Sequence, residues 1–314
     1  MRLLNFAFAA ASCALLLLTG CVRQPENARI DVAFVPLIPS DTVALAGMRV
    51  DKLKKTDFYK AYIEGQKFEQ LEEFVKRTEL DPRKDLWEFL LATNGKEAVI
   101  MARGKFGGFQ GLEPNFQRQG IERRNYKGYS LLGDSRMSVL FFNTTVAIAG
   151  PVPLLEKIVD NRDNNKEKPP ADLLALVDKV PAESQFWAVS KQAGQLLPEL
   201  PARGEFANFA RMISSLGEVV AYADVSKQVD FEASGVYSDA TAAKQVHDTL
   251  RGVIGMGRLT TPDNQPEMLR FYDGVKVEAV ENRVKISFEA PFDLVEKLSK
   301  MGPLRRLPFG QRTE

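Results

Sequence analysis

The chain's one imidazole is His247. An unperturbed imidazole titrates near neutral pH and can act as a general base. Helical spacing puts it at the margin of an apolar face built from Ala243, Val246 and Leu250, beside an outward Asp248. No GxSxG segment accompanies it, so it reads as a partly buried structural histidine. A multi-histidine metal site is excluded. Gly104, Gly107, Gly108 and Gly111 fall between an expected strand and an expected helix, where a phosphate loop would sit. Lys105 precedes most of that cluster and no Gly-Lys-Ser/Thr occurs, so these glycines read as a turn, while Gly252, Gly255 and Gly257 read as a helix end. Asp160, Asp163, Asn164 and Asn165 carry calcium-ligand chemistry, but Arg162 and Lys166 intrude and the central glycine is missing. Glu69, Glu72, Glu73 and Glu79 read as the outer face of a helix, and Asn143-Thr144-Thr145 as a hairpin turn. Leu304-Arg305-Arg306-Leu307 and Arg312 form a basic, apolar tail that reads as a frayed terminus. No catalytic, metal or cofactor-binding residues are assigned.

The two cysteines, Cys13 and Cys21, lie at the start of the chain. Met1-Arg2, an apolar stretch ending Leu15-Leu16-Leu17-Leu18, and small residues after it form a secretory signal. The stretch is short for a spanning helix and gives way to Arg23-Gln24-Pro25-Glu26. Leu18-Thr19-Gly20-Cys21 resembles the lipobox of bacterial lipoproteins. That resemblance implies cleavage before Cys21 and acylation of its thiol, with the lipid as the membrane contact. Val22, where an Asp would resemble an inner-membrane retention signal, points to the periplasmic face of the outer membrane in a Gram-negative cell. The folded part then has no thiol, so disulfides, thiolate catalysis and cysteine-ligated zinc are all excluded. Its fold must rest on core burial.

Charge is balanced, 42 basic against 41 acidic residues, and loss of Arg2 with the signal levels the two. That argues against nucleic acid, which is bound through clustered Lys and Arg. The expected layout is a signal peptide at 1–20 and a tether at 21–35. A first α+β repeat follows at 36–160, a linker and short helix at 161–179, a second repeat at 180–301 and a tail at 302–314.

In the first repeat, Thr42–Val50 reads as a strand and Lys52–Leu80 as a helix, with Phe68, Leu71, Phe74 and Val75 on one face. Leu86–Thr93 and Lys96–Arg103 read as a hairpin across Asn94-Gly95, with a type I′ turn. A short helix at Leu112–Gln119, a strand at Ile121–Leu132, a hairpin at Met137–Ala149 and a helix at Pro151–Val159 follow. In the second repeat, a strand through Ser190 precedes a helix at Glu205–Leu216 and a hairpin at Val219–Tyr237. A helix at Ala240–Ile254, a hairpin at Val275–Phe288 and a helix at Phe292–Met301 complete it.

Val180-Pro181-Ala182-Glu183-Ser184 opens the second repeat as Ile38-Pro39-Ser40-Asp41-Thr42 opens the first. Both halves read as β-α-ββ-α-ββ-α, a tandem duplication in ferredoxin-like style, with antiparallel sheets carrying helices on one face. IPSDTVALAGMRVDKL, with this element order, resembles functionally uncharacterised bacterial envelope proteins, a resemblance that supplies no catalytic residues. The reading is a non-enzymatic, lipid-anchored envelope protein that binds or scaffolds another envelope component. Two alternatives stand beside it. A carboxylate-based hydrolase of envelope polymer requires two acids across a cleft. A small-ligand carrier requires an enclosed apolar pocket instead of a filled core.

Overall fold

The computed structural model describes residues 30–65, 69–78, 81–107, 121–164, 166–196 and 214–300. Its frame is one mixed α+β body on a single antiparallel sheet. The strands are β1 (Ala44–Arg49), β2 (Leu86–Thr93), β3 (Ala98–Gly104), β4 (Glu122–Tyr126), β5 (Tyr129–Gly133) and β6 (Met137–Phe141). They continue with β7 (Val146–Pro151), β8 (Phe186–Ser190), β9 (Val219–Asp224), β10 (Val229–Val236), β11 (Val275–Val280) and β12 (Arg283–Ala290). The sheet has 12 strands in the order β11-β12-β10-β9-β8-β1-β2-β3-β7-β6-β5-β4. The two expected sheets are therefore fused through the β1–β8 pair.

That seam is symmetric in its details. Ala46 lies opposite Ala188. Arg49 N–H donates to Gln185 C=O at 2.8 Å and Lys191 N–H to Val43 C=O at 3.1 Å, a reciprocal pair. The approach to each strand repeats too. Thr42 N–H donates to Pro39 C=O and Ser184 N–H to Pro181 C=O, both at 3.2 Å. Ile38 N–H reaches Val35 C=O as Val180 N–H reaches Val177 C=O.

The helices divide between the two sheet faces, correcting the expectation of one covered face. One face, here the first, carries Leu45, Leu90, Ala92, Val99, Met101, Leu140, Ile148 and Val189. Against it pack α5 (Val152–Asn164), α6 (Ala171–Val177) and the 3₁₀ turn Val35–Leu37. Leu154, Leu155, Ile158 and Val159 of α5 and Leu173, Leu176 and Val177 of α6 are buried there. The second face is covered by α8 (Ala240–Thr260), α9 (Pro266–Gly274) and α10 (Phe292–Lys300), which pack on β10, β11 and β12. The helix α2 (Asp57–Tyr62) joins them through Phe58, whose ring lies 5.5 Å from Phe292.

Several boundaries differ from the sequence reading. Ile30 and Phe34 are core residues, so the body starts inside the expected 21–35 tether. Lys52–Leu80 divides into α1 (Val50–Leu53), α2 and α3 (Glu69–Thr78), because Thr56 starts a new helix by accepting from Tyr59 N–H at 3.1 Å. The short helix α4 (Pro82–Asp85) starts at the Asp81 cap. Ile121–Leu132 is a hairpin, not one strand: Lys127 and Gly128 both take positive φ, the requirement of a type I′ turn. At Asn94-Gly95 only Gly95 does so. There the Asn94 Oδ1 atom accepts from Lys96 and Glu97 N–H and closes a longer loop. The expected helix at Leu112–Gln119 lies outside the described residues, as does most of Glu205–Leu216 beyond the short α7 (Ala193–Leu196).

Candidate functional site

Along β2, side chains alternate between faces. Leu90 and Ala92 point into the covered core, and Phe89 and Leu91 point the other way. Register carries both faces across the sheet. On the second face, Met48 lies opposite Phe89 and Phe186; Phe89 opposite Ala102; Ala102 opposite Ala147; Ala147 opposite Phe141. In the other direction Phe186 meets Ala223, which meets Phe231. The adjacent row runs Leu132, Val139, Ala149, Ile100, Leu91, Ala46, Ala188, Ala221, Ala233. Every member of both rows is apolar.

Alanines form the floor of this band, and Phe89, Ile100, Phe141, Phe186 and Phe231 form its walls. Two troughs result. One, of about 550 Å³, is lined by Leu86, Phe89, Ile100, Phe106, Val139 and Phe141 among others. The second, of about 580 Å³, is lined by Met48, Phe89, Ile100, Phe186, Ala188 and Phe231 among others. They share Phe89 and Ile100, and each falls in the ~300–1,000 Å³ range of small-molecule sites. Ile100 is 45% exposed and Met137 53%. Among the described residues, none that lines either trough is charged. From β6 to β10 the band crosses eight strands, about 34 Å at ~4.8 Å per strand.

Two local devices shape it. A bulge between Leu86 and Glu88 shifts register in β2 and turns Leu86 onto the second face, where it packs with Phe106 and Ala147. At the seam, Gly47 leaves room on the first face for the Trp187 indole: a Cβ there would meet the ring at 2.2 Å.

No protein-family model and no curated protein matches this chain. Solved structures do. The fold is similar to that of TP0453. Its crystal form III aligns with a TM-score of 0.52 and 14% identity over 87% of this chain and 100% of that one. Crystal form I aligns with a TM-score of 0.50 and 13% identity over 87% and 98%. At such identity the likeness describes the fold alone.

The residues singled out in the sequence lie elsewhere. Cys21, Gly108, Gly111, Asn165, Glu79 and the basic tail are outside the described residues. His247 is half-buried on α8, and its Nδ1 lies 2.9 Å from Asp248 Oδ1. Asp248 is held by Lys244 and then His247, which keep its carboxyl below the usual range. Gly252, Gly255 and Gly257 do not end α8; it runs through them to Thr260. Gly257 has a packing reason, since a Cβ there would meet the Tyr272 ring at 2.5 Å. Gly104 closes β3 against Asp85 C=O. Asp160 belongs to α5, not a linker; Lys127 Nζ at 2.7 Å and then Tyr126 Oη at 2.9 Å hold its carboxyl below the usual range. Asn143 Oδ1 accepts from Thr145 and Val146 N–H in the β6–β7 turn. Among the described residues no helix is long and apolar enough to cross a membrane.

The sequence reading missed one group. Glu88 sits on the first face between Arg49 and Arg103 on the neighbouring strands. Asp31, on the entry segment, pairs with Arg103 Nε at 3.0 Å. Burial pushes the Glu88 carboxyl up to about 7, against a favourable Arg49. A Glu in an otherwise apolar strand, Leu-Trp-Glu-Phe-Leu-Leu-Ala, was the available signal.

Proposed function

We propose that this chain is a non-enzymatic, lipid-anchored envelope protein that holds an elongated apolar molecule along the second face of its sheet. One observation carries the reading: two cross-strand rows without a polar side chain border troughs whose described lining residues carry no charge. Such a surface desolvates hydrocarbon without burying a charge, at about 25 cal/mol per Å² of apolar area removed from water. The lipobox at Cys21 supplies the anchor, and the tandem duplication supplies the width. The matched turns at Pro39 and Pro181 and the reciprocal seam hydrogen bonds support that duplication.

The troughs are open, unlike the enclosed pocket of the small-ligand carrier, and among the described residues no acid pair lines them for a hydrolase. The test is photolabelling of the full chain in native envelopes with hexadecanol carrying a mid-chain diazirine. Label is expected on β2, β3 and β8, and Ala188→Trp, which fills the floor, is expected to reduce it about tenfold. Label spread evenly over the surface, or unchanged by Ala188→Trp, overturns the binding reading. Retention of Cys21→Ser in the membrane fraction overturns the anchor.

A further inference from the structure

The sheet ends at β11, and among the described residues no strand pairs with its outer edge. Glu281 and Asn282 alone join β11 to β12, so Val280 and Arg283 close the hairpin as a hydrogen-bonded pair. Hydrogen-bonded and non-hydrogen-bonded pairs alternate along an antiparallel ladder. The backbones of Lys276 and Glu278 therefore bond to β12, while Val275, Val277 and Ala279 turn their N–H and C=O groups to the open edge. A cavity of about 490 Å³ lies beside that edge, lined by Val275, Lys276, Val277 and Glu278 and by Ile254 and Gly255 of α8. A Cβ on Gly255 would meet nothing within 4 Å. The strand has backbone groups to share and room beside them.

The sequence of β11, Val-Lys-Val-Glu-Ala-Val, is complementary to itself. In two antiparallel copies related by a two-fold axis through Val277, Val277 meets its own copy, Val275 meets Ala279, and Lys276 meets Glu278. The first two kinds of pair use the backbone groups that face outward. The third is a non-hydrogen-bonded pair, with Cα atoms about 4.5 Å apart and side chains at their closest. An axis through Lys276 or Glu278 would oppose like charges, and would find their backbone groups already bonded to β12. Lys276 and Glu278 are exposed in the single chain. Behind them Glu278 lies opposite Lys285, whose Nζ pairs with Glu232 at 2.8 Å. A second Lys276 beside Glu278 extends that alternation of charge by one strand. On the other face, valine and alanine meet valine and alanine.

We infer that β11 pairs with β11 of a second copy of this chain, in antiparallel register about Val277, to give a two-fold dimer with one continuous sheet. The inference stands on the edge strand and is independent of the trough reading. A two-fold axis through an antiparallel pair is perpendicular to the sheet. Both second faces, and the troughs on them, then lie on the same side of the dimer.

Sedimentation equilibrium of the full chain in density-matched detergent tests it. Wild type is expected to dimerise. Lys276→Glu alone and Glu278→Lys alone should each weaken the dimer roughly tenfold, because two opposed pairs become two like-charged ones. A one-to-one mixture of the two variants should dimerise as wild type does, since each then meets its complement, and so should the chain carrying both exchanges. Mixing cannot relieve a repulsion within one chain, such as the one Glu278→Lys creates with Lys285, so the mixture separates pairing from damage to the fold. A dimer equally strong in both single variants overturns the β11 contact, and a mixture that stays monomeric overturns its register. A monomeric wild type overturns the inference outright. If the Val277 amide of that monomer is protected from hydrogen exchange, a segment of the same chain fills the edge in place of a second copy.

Discussion

The two halves of the sheet solve the same packing problem differently. In the C-terminal half the second face is apolar and α8, α9 and α10 cover it. Its first face carries Tyr222, Glu232, Ser287 and Lys276 in one row, suited to water. In the N-terminal half the first face is apolar and covered by α5 and α6, yet the second face is apolar as well. An antiparallel sheet with one solvated face ordinarily alternates apolar and polar side chains. The C-terminal half obeys that rule and the N-terminal half departs from it. Between β10 and β11 the chain supplies two helices; between β3 and β6 its described residues supply the β4–β5 hairpin. The first trough lies over this departure, and the second runs on across the seam over β8, β9 and β10.

Substitutions on β2 and β1 break this comparison most sharply. Leu90, fully buried on the first face, should cost ~4 kcal/mol when cut to Ala, read as a lower urea midpoint. Gly47→Ala should cost ~3 kcal/mol, because its methyl would overlap the Trp187 ring at the seam joining the halves. A Gly47→Ala protein as stable as wild type would mean that the indole has another place to go.

Glu88 gives a pH signature confined to the N-terminal half. Its carboxyl titrates near 7 in the fold against an ordinary 4.5, so the folded state favours the protonated form. The resulting stability is complete below about pH 4.5 and is lost as pH rises through about 7. Glu88→Gln should remove that decline and exceed wild type at pH 8 by roughly 3 kcal/mol, the rise from 4.5 to about 7 taken at about 1.36 kcal/mol per pH unit. Parallel urea midpoints for the two proteins from pH 4.5 to 8 would contradict it. The smallest effect belongs to the exposed face: Ile100→Ala should change stability by under ~1 kcal/mol while weakening hexadecanol labelling. A loss as large as that of Leu90→Ala would mean that the second face is covered.

Much of the strand order was legible. Val219–Tyr237 and Val275–Phe288 alternate or cluster in ways that only hairpins accommodate, and the structure holds both. Lys127-Gly128 carried a type I′ signal that went unread because the surrounding Glu-Arg-Arg-Asn-Tyr lacks an apolar pattern. The helix α9 has no counterpart in the sequence reading; Pro266 sits in its first turn, where proline fits. The troughs were half visible. Leu-Trp-Glu-Phe-Leu-Leu-Ala and Ala-Val-Ile-Met read as strands apolar on both sides, the ordinary mark of burial on both faces. Which side the described helices leave more open depends on strand ends far away in sequence. β7 passes directly into α5 at Val152, whereas β12 runs on to Ala290 before α10 begins, and the two helices lie on opposite faces.

The seam also bears on how the chain is made. β1 pairs with β2, which follows soon after, but its other edge waits for β8, beyond every strand of the N-terminal half. During synthesis, until β8 emerges, the edge of β1 with Ala46 and Gly47 at its centre has no partner strand. Open apolar edges recruit foreign strands, and late pairing of distant segments is slow. The interval between the emergence of β1 and β8 is thus the period in which the chain is most prone to pair with another copy of itself, and a holding chaperone would act during that interval.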